Sequence, residues 1–370
     1  MSKRGGDQNR QVGDRKRARK IARAMKRSLR KQSRRPVDES DEDQSHFEKL
    51  RAGRLQSRAG RLDSQSEQLA VAKQVGLVVR VSRKGCTIRS DDGEQLRLWF
   101  HNGVVSTAVG DRVGFDPELP ADRALANVCE RQTLISRPDP FDPRLERVIA
   151  ANVDLAVIVV APTDDNIRTG VIDRVMIAVQ RGGVTPIIVV NKIDLLSEPN
   201  ALEELLRPYA ELGVRCLACA ATSNHGVDAL RQSVTGQTCV FIGHSGVGKS
   251  SLLNALWPDA NRQTAQVRAR DGRGRHTTTA SQLVQLQDGT RIIDTPGIRS
   301  FGLWQIDATA LRSWFAEFDE PATRCRFRDC HHDNEPDCAV REAAKQGEIA
   351  PQRYQAYLRI LASLKDSESD

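Results

Sequence analysis

At 370 residues the chain has room for two or three domains. With 39% apolar residues, a mean hydropathy of −0.48 and no apolar run of 18 residues, it carries no candidate membrane-spanning helix. The net charge of +8 divides into +13 over residues 1–35 (15 Lys+Arg, two Asp) and −5 over the remainder, so the basicity belongs to an N-terminal arm. That arm lacks the apolar core of a secretory signal, and the expected location is the cytoplasm.

Residues 1–70 are polar and nearly free of aromatics. The stretch "RKRARKIARAMKRSLRKQSRR" is expected to neutralise phosphates without a fold of its own, as an RNA-contacting arm or, alternatively, a solubilising or targeting one. "RAGRLQS" at Arg51 is echoed by "RAGRLDS" at Arg58, too short a repeat for a coiled coil. From about Ala72 to Arg137 apolar and polar residues alternate around an "SDDGEQ" turn, and "VGDRVGF" and "NVCERQTLIS" follow. Short strands with Gly/Asp turns predict a small five-stranded, OB-like β-barrel. "SRPDPFDPR" packs three prolines together and reads as a linker.

From about Val153 to Gly302 the texture becomes α/β. "DLAVIVVA", "VTPIIVVNK", "VRCLACA" and "QTCVFIG" are buried strands. They alternate with the helices "VIDRVMIAVQRGG", "ALEELLRPYAELG", "GVDALRQSV" and "KSSLLNALWP". "SQLVQLQDGTRIIDTPG" predicts a hairpin ending in a loop. Near-continuous apolar strands between helices predict a doubly wound sheet covered on both faces. After Phe301 the chain turns helical and cysteine-rich.

Five short motifs sit at the ends of these strands. Gly243-His244-Ser245-Gly246-Val247-Gly248-Lys249-Ser250 matches G-x-x-x-x-G-K-[ST] between a strand and a helix, the context a phosphate loop requires. Its backbone N–H groups face phosphates, Lys249 reaches the β- and γ-phosphates, and Ser250 ligates Mg²⁺. In "RIIDTPG", Asp294 is placed to hold Mg²⁺ through water and the Gly297 N–H to sense the γ-phosphate. Asn191-Lys192-Ile193-Asp194 reads guanine: an Asp carboxylate accepts from both N1–H and N2–H₂, a donor pair adenine lacks, and Lys192 lies over the base. "CAATS" fits the loop backing the base, with Ala220-Ala221 in place of the usual Ser-Ala pair. "GRGRHTTTA" is the candidate first switch, and Thr278 is the favoured Mg²⁺ ligand among its three threonines. Ile298 stands where Ras-like enzymes carry the glutamine that orients water, and it cannot do so. His276, beside the threonines, is the nearest candidate for that role, the alternatives being a switch or nucleic-acid contact. His244 is a poorer one.

The five elements occur in the order base reader, base-backing loop, phosphate loop, first switch, second switch. An ordinary GTPase begins with the phosphate loop, so the domain is expected to be circularly permuted, which is permissible where domain termini lie close together. The second switch then leads almost directly into the C-terminal segment. There "CRFRDCHHDNEPDC" offers Cys325, Cys330 and Cys338 with His331 or His332, a set suited to a closed, structural tetrahedral Zn²⁺ site. The other cysteines, Cys86, Cys129, Cys216, Cys219 and Cys239, read as small buried hydrophobes.

A β-barrel, a permuted G domain with "NKID", "GHSGVGKSSLLN", "RHTTT" and "DTPG", and then "CRFRDCHHDNEPDCAVREA" together resemble the RsgA (YjeQ) family of bacterial small-subunit-dependent GTPases over about residues 72–365. The resemblance implies an OB fold and hydrolysis of GTP to GDP and phosphate, stimulated by the 30S ribosomal subunit during its late maturation. It also implies contact with 16S rRNA and one zinc ion. It places zinc on Cys325, Cys330, His332 and Cys338, and GTP contacts on Asn191 to Asp194 and on Gly243 to Ser251. The expected division is a basic arm (1–70), an OB-fold barrel (71–138), a circularly permuted α/β GTPase domain (139–302) and an α-helical zinc-binding domain (303–370), in a monomer without membrane contact.

Overall fold

Residues 72–82, 84–100, 107–139, 142, 144–163, 166–167, 170–196, 199–258, 281–294, 303–304 and 306–368 are described by the computed structural model, and they fall in one unit, Gln68–Asp370. The basic arm and its heptad echo lie outside these residues.

The alternating segment forms five strands: β1 (Gln74–Ser82), β2 (Gly85–Ser90), β3 (Gln95–Trp99), β4 (Arg112–Phe115) and β5 (Leu125–Val128). β1 is the hub, pairing antiparallel with β2 on one side and β4 on the other. β3 extends from β2, and β5 from β4. Every second side chain turns inward, and Val78, Ile88, Leu98, Val113 and Phe115 are buried together as one core. The Trp99 N–H donates to the Ala121 carbonyl at 2.9 Å, joining the end of β3 to the segment before β5. This is the OB-like barrel that the alternation predicts.

The expected linker is something else. β6 (Leu134–Pro138) and β7 (Glu146–Ala151) form an antiparallel hairpin, so "SRPDPFDPR" supplies the end of one strand and the connection. Pro138 is tolerated because it is the last residue of its strand. The hairpin is anchored to the next domain by the Leu134 N–H, which donates to the Gly182 carbonyl at 2.9 Å.

The remaining elements are β8 (Leu155–Val160), the two-residue strands β9 (Pro162–Thr163) and β10 (Asn166–Ile167), α1 (Gly170–Arg181), β11 (Thr185–Asn191), α2 (Pro199–Glu211), β12 (Arg215–Cys219), α3 (Val227–Val234), β13 (Thr238–Ile242), α4 (Lys249–Leu256), β14 (Ser281–Gln285) and β15 (Arg291–Asp294). The sheet order is β12-β11-β8-β13-β15-β14, parallel through β15, with β14 antiparallel. β8 shows why its sequence is apolar throughout. Ala156, Ile158 and Val160 enter the core under α1 and α2, while Val157 and Val159 enter the core under α3 and α4. The helices answer with one apolar stripe each, as in Val227, Leu230 and Val234 of α3. β14 also pairs antiparallel with β1, Arg80 opposite Gln282 and Val81 opposite Ser281. The strands of the barrel and of the α/β domain are therefore one continuous eleven-stranded system.

Beyond Ile306 come short 3₁₀ turns, then α5 (Asp319–Ala322), α6 (Ala339–Gln346) and α7 (Pro351–Glu368). Leu311, Phe315, Phe318 and Tyr357 form a core into which α1 of the α/β domain inserts Ile177. A buried ionic network crosses the same boundary. Arg353 of α7 donates to Asp173 of α1, and through Nε and Nη2 to Glu317 at 2.6 and 3.2 Å. The Tyr209 hydroxyl of α2 donates to Asp173 at 3.2 Å. Burial opposes the charge on Arg353, but the Glu317 hydrogen bonds and the Asp173 charge outweigh it and hold the guanidinium above its ordinary pKa. Arg353→Ala leaves Asp173 buried and uncompensated, so an unfolding free-energy loss of about 3–5 kcal/mol is expected. Urea denaturation checks this, and a loss under about 1 kcal/mol, the range of a solvated pair, would contradict it.

Candidate functional site

Four parallel strands deliver their carboxyl ends to one edge, where ligands bind in open α/β sheets. β11 ends at Asn191, β12 at Cys219, β13 at Ile242 and β15 at Asp294. The registers align these ends: Asn191 lies opposite Cys219, Ile242 opposite Ile158, and Val190 opposite Val160. Base reader, base-backing loop, phosphate loop and candidate Mg²⁺ aspartate thus converge, although up to about a hundred residues separate them. Thr278, His276, Gly297 and Ile298 lie outside the described residues.

Asn191 does something the motif alone did not reveal. Only 1% exposed, it donates through Nδ2 to the Val247 carbonyl of the phosphate loop at 2.9 Å. Its Oδ1 accepts from the Ala221 N–H of the base-backing loop at 3.2 Å. One side chain ties three loops together. Lys192 then takes the left-handed conformation, φ 62°, and turns the chain into the 3₁₀ turn Ile193–Leu195 that carries the exposed Asp194. Ala220 exchanges backbone hydrogen bonds with His225 at 3.0 and 3.1 Å, fixing the backing loop.

The phosphate loop spans Gly243 to Gly248, and α4 begins at Lys249 with no side-chain cap on its first turn. Its free N–H groups and the helix dipole favour an anion there. Gly248 has φ +90°, and a Cβ on it would stand 2.2 Å from Asn191 Nδ2. Gly248→Ala therefore both strains the loop and breaks the Asn191 tie, and nucleotide affinity should fall at least tenfold, the equivalent of about 1.4 kcal/mol. Titration with a fluorescent GDP analogue reads this directly, and unchanged affinity would contradict it. The Lys249 ammonium donates to the Gly243 and His244 carbonyls, both at 2.7 Å, so it lies over the loop it is meant to serve.

A second cluster stands in the C-terminal module. The ligand atoms of Cys325, Cys330, His332 and Cys338 all lie within 4.8 Å of one another. His332 Nδ1 is 3.6 Å from the Cys325 sulfur and 3.5 Å from that of Cys338, which separates it from His331. Burial pulls the His332 pKa down to about 4, keeping the imidazole neutral, and pushes the Cys330 thiol up to about 12. Buried thiolates here need a cation, and a set of three sulfurs and one neutral imidazole fits a metal ion. Around the cluster the Tyr354 hydroxyl donates to the His332 carbonyl at 2.8 Å and the Tyr357 hydroxyl to that of His331 at 2.7 Å. Glu335 accepts from the His331 and Asp333 N–H groups at 2.9 and 3.0 Å, and Arg341 grips the Asp333 and Glu335 carbonyls. Of the other cysteines, Cys86, Cys219 and Cys239 are buried as expected, while Cys129 and Cys216 are half-buried.

These features agree with three comparisons. A family model described as RsgA GTPase matches residues 128–304. The small ribosomal subunit biogenesis GTPase RsgA of Haemophilus influenzae is 37% identical over 312 residues, spanning 82% of this chain and 89% of its own length. That of Yersinia enterocolitica is 37% identical over 305 residues, covering 80% and 86%. Among solved structures, YjeQ from Thermotoga maritima superposes with a TM-score of 0.61 at 30% identity, over 79% of this chain and 98% of that one. YloQ, described as a circularly permuted GTPase, gives 0.59 at 25% identity, over 82% and 99%.

Proposed function

The chain belongs to the RsgA GTPase family, and from that premise we propose that it hydrolyses GTP on the 30S ribosomal subunit, in contact with 16S rRNA, to assist late maturation. That it is a GTP-hydrolysing enzyme follows from the family. The observation that carries the reading is the convergence at one sheet edge of a guanine reader and a phosphate loop joined through Asn191.

In this reading Asp194 accepts from guanine N1–H and N2–H₂, Lys192 covers the base, and Ala220 and Ala221 back it. Ile193 sits between the two readers. Gly243, His244, Ser245, Gly246, Val247 and Gly248 wrap the phosphates with backbone N–H groups, and Ser251 follows on the helix. Lys249 neutralises the β- and γ-phosphates. A Mg²⁺ ion bound with GTP, held by Ser250 and Thr278 and through water by Asp294, offsets charge developing on the phosphates. Gly297 senses the γ-phosphate, and His276 orients water in the place Ile298 leaves unfilled.

Zn²⁺ is the proposed ion on Cys325, Cys330, His332 and Cys338, one per chain, where it supplies structural cross-linking. The proposed division is arm (1–70), barrel (71–138), GTPase domain (139–302) and zinc domain (303–370), in a cytoplasmic monomer whose barrel, zinc domain and arm meet rRNA. GTP turnover measured with and without purified 30S subunits tests the assignment. A clear rise with 30S and none with 50S is expected, and equal rates would remove the ribosomal reading. His276→Ala should abolish that rise, whereas intact stimulation would transfer the water-orienting role elsewhere.

A further inference from the structure

A cleft of about 310 Å³ opens at the seam where β14 meets the barrel. Three arginines line it from three different strands: Arg89 on β2, Arg112 on β4 and Arg291 on β15. Arg89 donates to Gln285 at 2.7 Å, a neutral partner from the opposite wall. The side chains of Arg112 and Arg291 are exposed and find no hydrogen-bond or ion-pair partner among the described residues. Asp91 is the single carboxylate among the lining residues. Against a body of net charge −5 beyond residue 35, three arginines without carboxylate partners in one cleft are unexpected for a purely structural arrangement. Planar guanidinium groups lining one cleft match the oxygens of a phosphate group.

We propose that this cleft binds phosphate, and that its source is an RNA backbone laid across the barrel–GTPase seam. The inference rests on the rRNA-bound reading above and adds a defined place for the contact. Its location has a mechanical meaning. Arg291 lies on the strand that ends three residues later at Asp294, and opposite Gln285 across the β14–β15 ladder. A phosphate held jointly by Arg89, Arg112 and Arg291 would fix the barrel against the strand leading to the second switch.

The test labels arginines of the full chain with phenylglyoxal and maps the modified positions by mass spectrometry. The probes are a 20-nucleotide single-stranded RNA and, separately, inorganic pyrophosphate. Protection of Arg89, Arg112 and Arg291 by the RNA is the expected result. Protection by pyrophosphate alone would reassign the cleft to a free phosphorylated ligand and overturn the RNA source. Protection by neither would overturn the site. In parallel, the double variant Arg112→Gln/Arg291→Gln should weaken RNA binding about tenfold and flatten the salt dependence of log K by about 1.4, for two lost single-strand phosphate contacts. An unchanged slope counts against the proposal. Binding of a fluorescent GDP analogue should be unaffected in that variant, so loss of the GTPase reading and loss of this site are separately visible.

Discussion

Asp194→Asn should lower GTP affinity by about 10²–10⁴-fold and raise affinity for xanthosine triphosphate. A hydrogen bond to a charged acceptor contributes about 1.5–3 kcal/mol; the substitution removes the one from N2–H₂, sets donor against donor there and strips the charge from the one to N1–H, together about 3–6 kcal/mol. An asparagine amide offers one acceptor to N1–H and turns a donor toward position 2, which opposes guanine's amino group and suits xanthine's carbonyl. The structure makes the substitution a clean test. Asp194 sits exposed on the Ile193–Leu195 turn, which follows the Asn191 that is tied to Val247 and Ala221. The side chain can therefore be exchanged without disturbing a core. Competition of GTP, XTP and ATP against a fluorescent nucleotide gives the result. An unshifted GTP affinity, or equal ATP binding in the unaltered protein, would sink the guanine assignment.

Removal of the proposed zinc ion should unfold the C-terminal module. Structural zinc contributes apparent binding free energies of about 10–16 kcal/mol in small domains, more than most domains have in total. The module's apolar core is modest, with Phe315, Phe318, Tyr354 and Tyr357 gathered around the cluster. Without the ion, Cys330 must stay a neutral thiol and the sulfurs lose what holds them together. The same loss reaches α7, since Tyr354 and Tyr357 bind the carbonyls of His332 and His331. Chelation, or Cys330→Ser, should raise amide hydrogen exchange across residues 319–364 to near the free-chain rate while β8, β11 and β13 stay protected. Elemental analysis should find one zinc per chain before chelation. Undiminished protection after complete metal removal would show that the four residues form no structural site.

Much of this architecture was legible in the sequence, because its signals are local. Apolar runs such as "LAVIVV" and "TPIIVVN" mark strands buried on both faces, and Gly-rich loops mark the ligand edge. The phosphate loop and guanine reader announce themselves because their chemistry tolerates few residue types. What the sequence concealed depends on distance. Nothing near Arg353 points to Asp173, 180 residues earlier. Nothing near Ser281 points to Val81. Asn191 could be placed in a motif, but its tie to Val247 appears only once strands β11 and β13 are aligned around β8. Spacing alone left His331 and His332 open, since adjacent residues share any spacing rule; the family resemblance preferred His332, and it is the His332 ring that lies beside the sulfurs. The proline-rich segment misled because proline ends a strand as readily as it begins a linker.

The short β14 has one further consequence. It occupies a position where its outer backbone groups are met by β1. A GTPase fragment prepared by cutting away the barrel would expose them as a raw sheet margin. Such margins recruit whatever strand is at hand, including those of a second fragment. The barrel strand β1 covers part of that margin, and a truncated chain should self-associate more than the intact one. The proposed RNA contact of the barrel and the colloidal behaviour of the enzyme would in this sense both depend on a single strand pair.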